Sequence, residues 1–247
     1  MTNLPTHSLL VPCYNAQAYI DAFLSAVGKL HKPFDQVLFY DDASTDDTYQ
    51  ILKGKGCTVI KGDINSGPGY ARNRLAQKAT GQYIHFHDID DEFNPDFLNL
   101  VNASLAVKPT DVVLGYADWI DPATRRPVIQ WRYNLAEIIT YPVGYFLANP
   151  LGIINTVYKK EAFEKVNGFN EHIKCWEDAD LHVRLAASGA SFAVIDKVIA
   201  YSLRHETGIS NQQDKCWECR FKFLENYINT LDVKHCLLYT SPSPRDS

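Results

Sequence analysis

His85-Phe86-His87-Asp88-Ile89-Asp90-Asp91-Glu92 begins as a strand and ends as a cluster of carboxylates. Tyr83 to His87 alternates aromatic, aliphatic and imidazole side chains, a pattern that suits a strand. Asp88, Asp90 and Asp91 follow with only Ile89 between the first two. Like charges this close repel unless a cation or water stands among them. Carboxylate oxygens suit a hard divalent ion, Mn²⁺ or Mg²⁺. Asp-x-Asp at a strand end is therefore a candidate metal–diphosphate site. The competing reading is an acidic turn before the helix that starts near Pro95, and on these residues alone the turn is the better reading. The rest of the chain reverses that balance.

Working back from this stretch, strands alternate with helices. Leu9-Leu10-Val11 predicts a buried strand before Pro12, with Cys13-Tyr14-Asn15 as the loop at its end. Asn15 is placed to cap a helix carrying Ile20, Phe23, Leu24 and Val27. Val37 to Tyr40 predicts a second strand, running into Asp41-Asp42-Ala43-Ser44-Thr45-Asp46-Asp47. Ser44 or Thr45 suits an N-cap there, and Asp46 and Asp47 suit the first turn of the helix. Asp41 and Asp42 sit earlier, at the strand end, where an α/β sheet binds its ligand. After a third strand at Thr58 to Ile60, Asn65-Ser66-Gly67-Pro68-Gly69 lets backbone approach a ligand. Arg72, in the helix that follows, can aim one positive charge at a diphosphate. Neither a dinucleotide fingerprint nor a G-x-x-x-x-G-K-[ST] phosphate loop occurs.

Working forward, a helix is expected to Val107, a strand over Asp111 to Tyr116, and a less regular, aromatic-rich region over 117–150. Trp119 directly follows a strand and is the aromatic best placed for a ligand. A strand from Ile153 and a short helix from Glu161 lead to Trp176-Glu177-Asp178-Ala179-Asp180, which opens another helix. The helix dipole should keep a carboxylate there ionised, ready to accept a proton. Two strands, Val194-Ile195 and Val198 to Leu203, precede Arg204-His205. A last helix near Asp214 should pack through Trp217, Phe221, Leu224, Ile228 and Leu231. The order predicts an α/β fold with a mostly parallel central sheet flanked by helices.

The net charge of −5 over 247 residues argues against a nucleic-acid-binding face. No apolar stretch reaches membrane-spanning length, and no leader pattern precedes it, so a cytoplasmic protein is expected. The six cysteines are expected to stay reduced, and Cys216-x-x-Cys219 lacks the second pair a zinc site needs. Residues 1–235 are read as one domain. The Ser/Pro-rich tail, 236–247, resembles translated adapter or vector sequence and is set outside the fold.

Together these motifs resemble the inverting family 2 glycosyltransferases of GT-A fold, over roughly residues 8–210. Val11-Pro12-Cys13-Tyr14-Asn15 is similar to that family's Pro-x-Tyr-Asn strand end. Asp41-Asp42-Ala43-Ser44-Thr45-Asp46 is similar to its Asp-Asp-Gly-Ser-x-Asp, with Ala43 in place of Gly. Asn65-x-Gly67 with Ala71-Arg72-Asn73, Asp88-Ile89-Asp90-Asp91, Glu177-Asp178 and Arg204-His205 match its later motifs in order. The resemblance implies transfer of a sugar from a nucleoside-diphosphate sugar, UDP-linked for preference, to a hydroxyl of a glycan, glycolipid or other acceptor. It implies donor contacts from Pro12, Tyr14, Asp41, Arg72 and Asp88, and Mn²⁺ or Mg²⁺ held by Asp90 and His205. Asp178 is the implied base; Trp119, Trp176 and Glu177 are candidates on the acceptor side. A nucleotidyltransferase is the alternative enzyme, although the basic, glycine-rich triphosphate loop is missing. A catalytically silent sugar-nucleotide-binding module is the other alternative.

Overall fold

The computed structural model describes residues 4–173, 175–203 and 213–228. Strands β1 (His7–Cys13), β2 (Gln36–Asp41), β3 (Val59–Lys61) and β4 (Tyr83–Phe86) form the parallel half of one sheet, in the order β3-β2-β1-β4. Helices α1 (Ile20–Gly28), α2 (Thr48–Gly54) and α3 (Pro68–Lys78) connect them. Beyond β4 come β8 (Thr156–Lys159), β6 (Val112–Ile120), β9 (Phe192–Leu203) and the two-residue β5 (Glu92–Phe93), with β7 (Pro127–Trp131) paired to β6. β8 runs antiparallel to both β4 and β6, so β6 points the same way as β4, and β9 lies parallel to β6. Six of the nine described strands thus share one direction.

The pleat divides the apolar residues between two cores. Leu10, Leu38 and Phe86 stand side by side and face α3 and α8 (Glu177–Ala187), burying Ala71, Leu75, Leu181 and Leu185. Leu9, Val11 and Phe39 face the other way, onto Phe23 of α1 and onto Phe97 and Val101 of α4 (Phe97–Val107). With both faces covered, ligand chemistry is left to the edge where the parallel strands end. β1 sits between β2 and β4, so its loop and theirs diverge there and leave a crevice.

Several local expectations change. Region 117–150 holds the end of β6, β7, and helices α5 (Leu135–Thr140) and α6 (Pro142–Ala148). The two strands expected near 194 and 198 are one, β9; its pairing with β6 shifts register between Gly115 and Ala117. Asn15 does not cap α1. Its side chain accepts from the N–H and hydroxyl of Thr45, and its own N–H donates to Ser44 Oγ, so Ser44 and Thr45 brace the β1 loop and do not cap α2. Ala43 takes the left-handed backbone a glycine would favour, φ 59°.

The short helix α7 (Lys160–Lys165) follows β8, and α9 (Gln213–Ile228) is the last described helix. Phe221 and Ile228 of α9 are exposed; the docked face is the i, i+4, i+8 row Cys219, Phe223 and Tyr227, with Leu224 packed on the core beside it as expected. Cys219 is disulfide-bonded to Cys175, which corrects the expectation of reduced thiols for that pair. Proximity enforced by the docked helix supplies the pairing that spacing alone did not show. Leu231, Arg204, His205 and the tail 236–247 lie outside the described residues, as does the side chain of Trp217.

Candidate active site

The loop after β1 and the loop after β2 are bound to each other and to the glycine loop before α3. Asp42 N–H donates to the carbonyl of Cys13 (2.8 Å), while the Asp42 carboxylate accepts from the N–H groups of Ser66 (3.0 Å) and Gly67 (2.7 Å). Asp42 is thus the clamp that holds the 65–67 loop against the strand ends, a role the sequence reading did not assign to it. Beside it, Asp41 is fully buried, and neither carboxylate oxygen has a hydrogen-bond partner among the described residues. A buried carboxylate without a donor is costly unless a ligand supplies one. Pro12 is half-buried at the same edge and Tyr14 is 49% exposed, leaving its ring open to a ligand.

Arg72 is the centre of the site. It is buried, with Nη1 donating to Glu177 Oε1 (2.6 Å) and Nη2 to Asp88 Oδ1 (2.8 Å). Burial by itself would lower the guanidinium's pKa; Asp88 and Glu177 outweigh it and raise it instead. Arg72 therefore bridges the strand-end acids to the first turn of α8. The Asp88 side chain is 37% exposed, and Asp90 is half-buried. Asp91 has turned inward, accepting from Leu203 N–H (2.9 Å) and anchoring the end of β9. Burial, then the charges of Asp88 and Asp90, hold its carboxyl well above the usual carboxylate range.

α8 starts without a side-chain cap. Its N-cap, Trp176, has φ 65°, and its ring packs on Phe223 at 5.5 Å. Asp178 is half-buried in the first turn, accepting from Ala179 N–H. The expectation that the helix dipole keeps this carboxylate at a low pKa is corrected. Burial first, and Glu177 second, push it up to about 7, with Arg72 pulling the other way. The next acid, Asp180, is taken up by Arg184 Nε (2.7 Å) and the Tyr227 hydroxyl. Trp119 is half-buried and stacked with Trp131 at 6.3 Å, a cross-strand pair between β6 and β7.

His85 and His87 belong to the core. His87 stacks on Phe93 at 3.7 Å, and burial lowers its pKa to about 3, so it carries no charge. Among the described residues no three His, Cys, Asp or Glu side chains converge as a metal cage. Asp88 and Asp90 nevertheless offer hard oxygen donors on a partly open edge. That fits Mg²⁺- or Mn²⁺-type binding in which one or two carboxylates hold the ion and substrate phosphates and water complete its shell.

Parallel strands delivering acids to one crevice, a glycine loop clamped beside them by Asp42 and a second acid pair on a facing helix define the GT-A class of nucleotide-sugar transferase folds. The sequence profile described as "Glycosyl transferase family 2" matches residues 8–166, and the chain belongs to that family of enzymes. A second profile, "N-terminal domain of galactosyltransferase", matches residues 145–206. TuaG of Bacillus subtilis (strain 168), named for teichuronic acid biosynthesis, is 36% identical over 104 residues, 40% of this chain and 41% of TuaG. The poly(ribitol-phosphate) beta-N-acetylglucosaminyltransferase TarS of Staphylococcus aureus (strain Mu50 / ATCC 700699) is 34% identical over 114 residues, 43% of this chain and 20% of TarS. The chain thus spans less than half the length of these curated relatives. The crystal structure of S. aureus TarS with UDP-GlcNAc superposes with TM-score 0.67 at 26% identity, covering 82% of this chain and 60% of that one. A Pyrobaculum calidifontis mannosyltransferase with GDP-Man and Mn²⁺ shares the fold at TM-score 0.64 and 20% identity, covering 87% and 61%. No described helix is long and apolar enough to cross a membrane.

Proposed function

We propose that this protein transfers a sugar from a nucleoside-diphosphate sugar to an acceptor hydroxyl with inversion at the anomeric carbon. The observation that carries this reading is the Arg72 bridge. One buried guanidinium joins the Asp88 cluster to Glu177, the residue beside Asp178. Donor-side acids and a candidate base are thereby held against one another. Asp41, with its unpartnered carboxylate at the end of β2, supports recognition of a donor N–H on the base, and the exposed Tyr14 ring supports stacking beneath it. A UDP-sugar is favoured because the TarS structure holds UDP-GlcNAc.

Asp88 and Asp90 would hold Mn²⁺ or Mg²⁺. When bound, the ion neutralises the leaving diphosphate as a Lewis acid. Asp178 takes the acceptor hydroxyl's proton; with its pKa raised to about 7, it is a base matched to neutral pH. One base and one in-line displacement give inversion. Glu177 and Trp176 flank the acceptor side, and His205, outside the described residues, remains a proposed ligand. A glycan or glycolipid hydroxyl is the acceptor class; the Cys175–Cys219 disulfide counts against the cytoplasmic setting expected from the sequence.

The test is calorimetry and donor turnover with UDP-sugars, with and without Mn²⁺. Wild type should bind UDP in a Mn²⁺-dependent way and release UDP slowly from a UDP-sugar. Asp90→Asn should weaken both the binding and its metal dependence. Release of pyrophosphate from a nucleoside triphosphate in place of UDP release, or an Asp90→Asn protein with unchanged Mn²⁺-dependent affinity, would overturn the assignment.

A further inference from the structure

His182 lies one turn after Asp178 on α8 and is fully buried. Its Nδ1 is 2.7 Å from the main-chain carbonyl of Asp178, and its Nε2 is 2.9 Å from the Tyr158 hydroxyl. A carbonyl only accepts, so Nδ1 carries the proton, Nε2 is the acceptor, and Tyr158 donates. Burial lowers the imidazole's pKa to about 4 and raises that of the phenol, so both stay neutral at working pH. The Phe146 ring of α6 stacks on the imidazole at 5.6 Å and 25°, holding its plane.

The chain of bonds runs from the sheet to the helix turn that bears the base. Tyr158 sits on β8 directly opposite Ile84 of β4, the strand that leads into Asp88. The first turn of α8 needs such an anchor. Its N-cap has a left-handed backbone and makes no side-chain hydrogen bond, so the cap residue itself does not hold that turn. Arg72 holds Glu177 from one side; the imidazole holds the backbone of Asp178 from the other.

We propose that Tyr158 and His182 are positioning residues for the transfer reaction, setting where the Asp178 carboxylate stands relative to the Asp88 edge. This rests on the reading of Asp178 as the base. Neither side chain touches substrate, and each acts only through Asp178. Loss of the Tyr158 hydroxyl leaves a buried Nε2 without a donor, frees the imidazole to change tautomer, and loosens the turn. A misplacement on the order of 1 Å costs up to roughly a hundredfold in rate.

The experiment is a double-mutant cycle on the full chain, read by turnover of a UDP-sugar and by UDP affinity. Tyr158→Phe keeps the ring and removes one hydroxyl. It should lower kcat by roughly ten- to a hundredfold, with donor KM and UDP affinity within about twofold of wild type. In the Asp178→Asn background the same substitution should cost less than about twofold, because the residue through which it acts no longer works. His182→Phe, which keeps an aromatic ring against Phe146, should repeat the loss and not add to it. Retained UDP affinity shows that each variant is folded. An active wild type with equal losses in both backgrounds, or no loss in either, overturns the positioning role and leaves the transferase reading intact. A wild type that binds and turns over no nucleotide sugar overturns both.

Discussion

Arg72 and Glu177, 105 positions apart in sequence, meet as a buried ion pair with 2.6 Å between Nη1 and Oε1. The pair shares its guanidinium with Asp88 and leaves Asp178 beside two charges of opposite sign. Its consequence is a tuned carboxylate: burial and then Glu177 raise the Asp178 pKa, while Arg72 lowers it.

Glu177→Gln should therefore move the acid limb of the turnover–pH profile to lower pH. Removing the neighbouring negative charge takes away a cause that raises Asp178, so this proposed base stays ionised further into acid. A limb that moves to higher pH, or does not move, would contradict the arrangement. Losing half of a buried ion pair should also destabilise the protein by about 3 kcal/mol, less where the amide keeps a hydrogen bond to Arg72.

Asp178→Asn should reduce turnover by roughly 10²- to 10⁴-fold while UDP affinity holds. Its effect on stability has a defined sign. The folded pKa is raised above the ordinary value of 3.8, so the stability linked to the protonated form is present below that value and lost as pH rises through about 7. The amide cannot ionise. The variant should melt above wild type at pH 8, and the gap should close below pH ~4. Thermal melts across that range check it.

Asp41→Asn separates binding from folding. Its carboxylate has no partner to lose among the described residues, so the melting temperature should hold or rise. If the carboxylate receives a donor from the base, UDP affinity should fall by roughly ten- to a hundredfold, the worth of a hydrogen bond to a charged group. Calorimetry with equal affinities would remove Asp41 from the donor site.

Cys175→Ser and Cys219→Ser should each lower stability by about 3–4 kcal/mol, for a cross-link spanning 44 positions. Combined, they should cost no more than either alone, and reductant should bring wild type down to the same melting temperature. Additive losses would mean that the thiols pack separately.

Ala43→Gly should raise stability by up to about 1 kcal/mol, since φ 59° costs an alanine what it does not cost a glycine. A chemical denaturation midpoint that falls would show that the alanine methyl packs.

The sequence by itself determined the order of elements, the strand-end placement of Asp41, Asp42 and Asp88, and the helix start at Glu177-Asp178. Those features follow from apolar periodicity and turn chemistry, which act over a few residues. Only the tertiary structure decided which charges meet. Arg72 reads in sequence as a solvated or ligand-facing cation; it became a buried bridge because α3 and α8 share one core and their N-termini converge on the strand ends. The same holds for α9, whose expected apolar stripe included Phe221, Leu224 and Ile228: Leu224 packs on the core, but Phe221 and Ile228 are exposed and the docked face is centred on Cys219, Phe223 and Tyr227. The pKa of Asp178 was likewise beyond local reading. The helix dipole is a feature of its own turn, but the burial and the Glu177 charge that overcome it exist only once the helix is packed. His182 stood one helical turn from Asp178 in plain view, yet its hydrogen-bonding role depends on Tyr158, a strand residue brought beneath it by the fold.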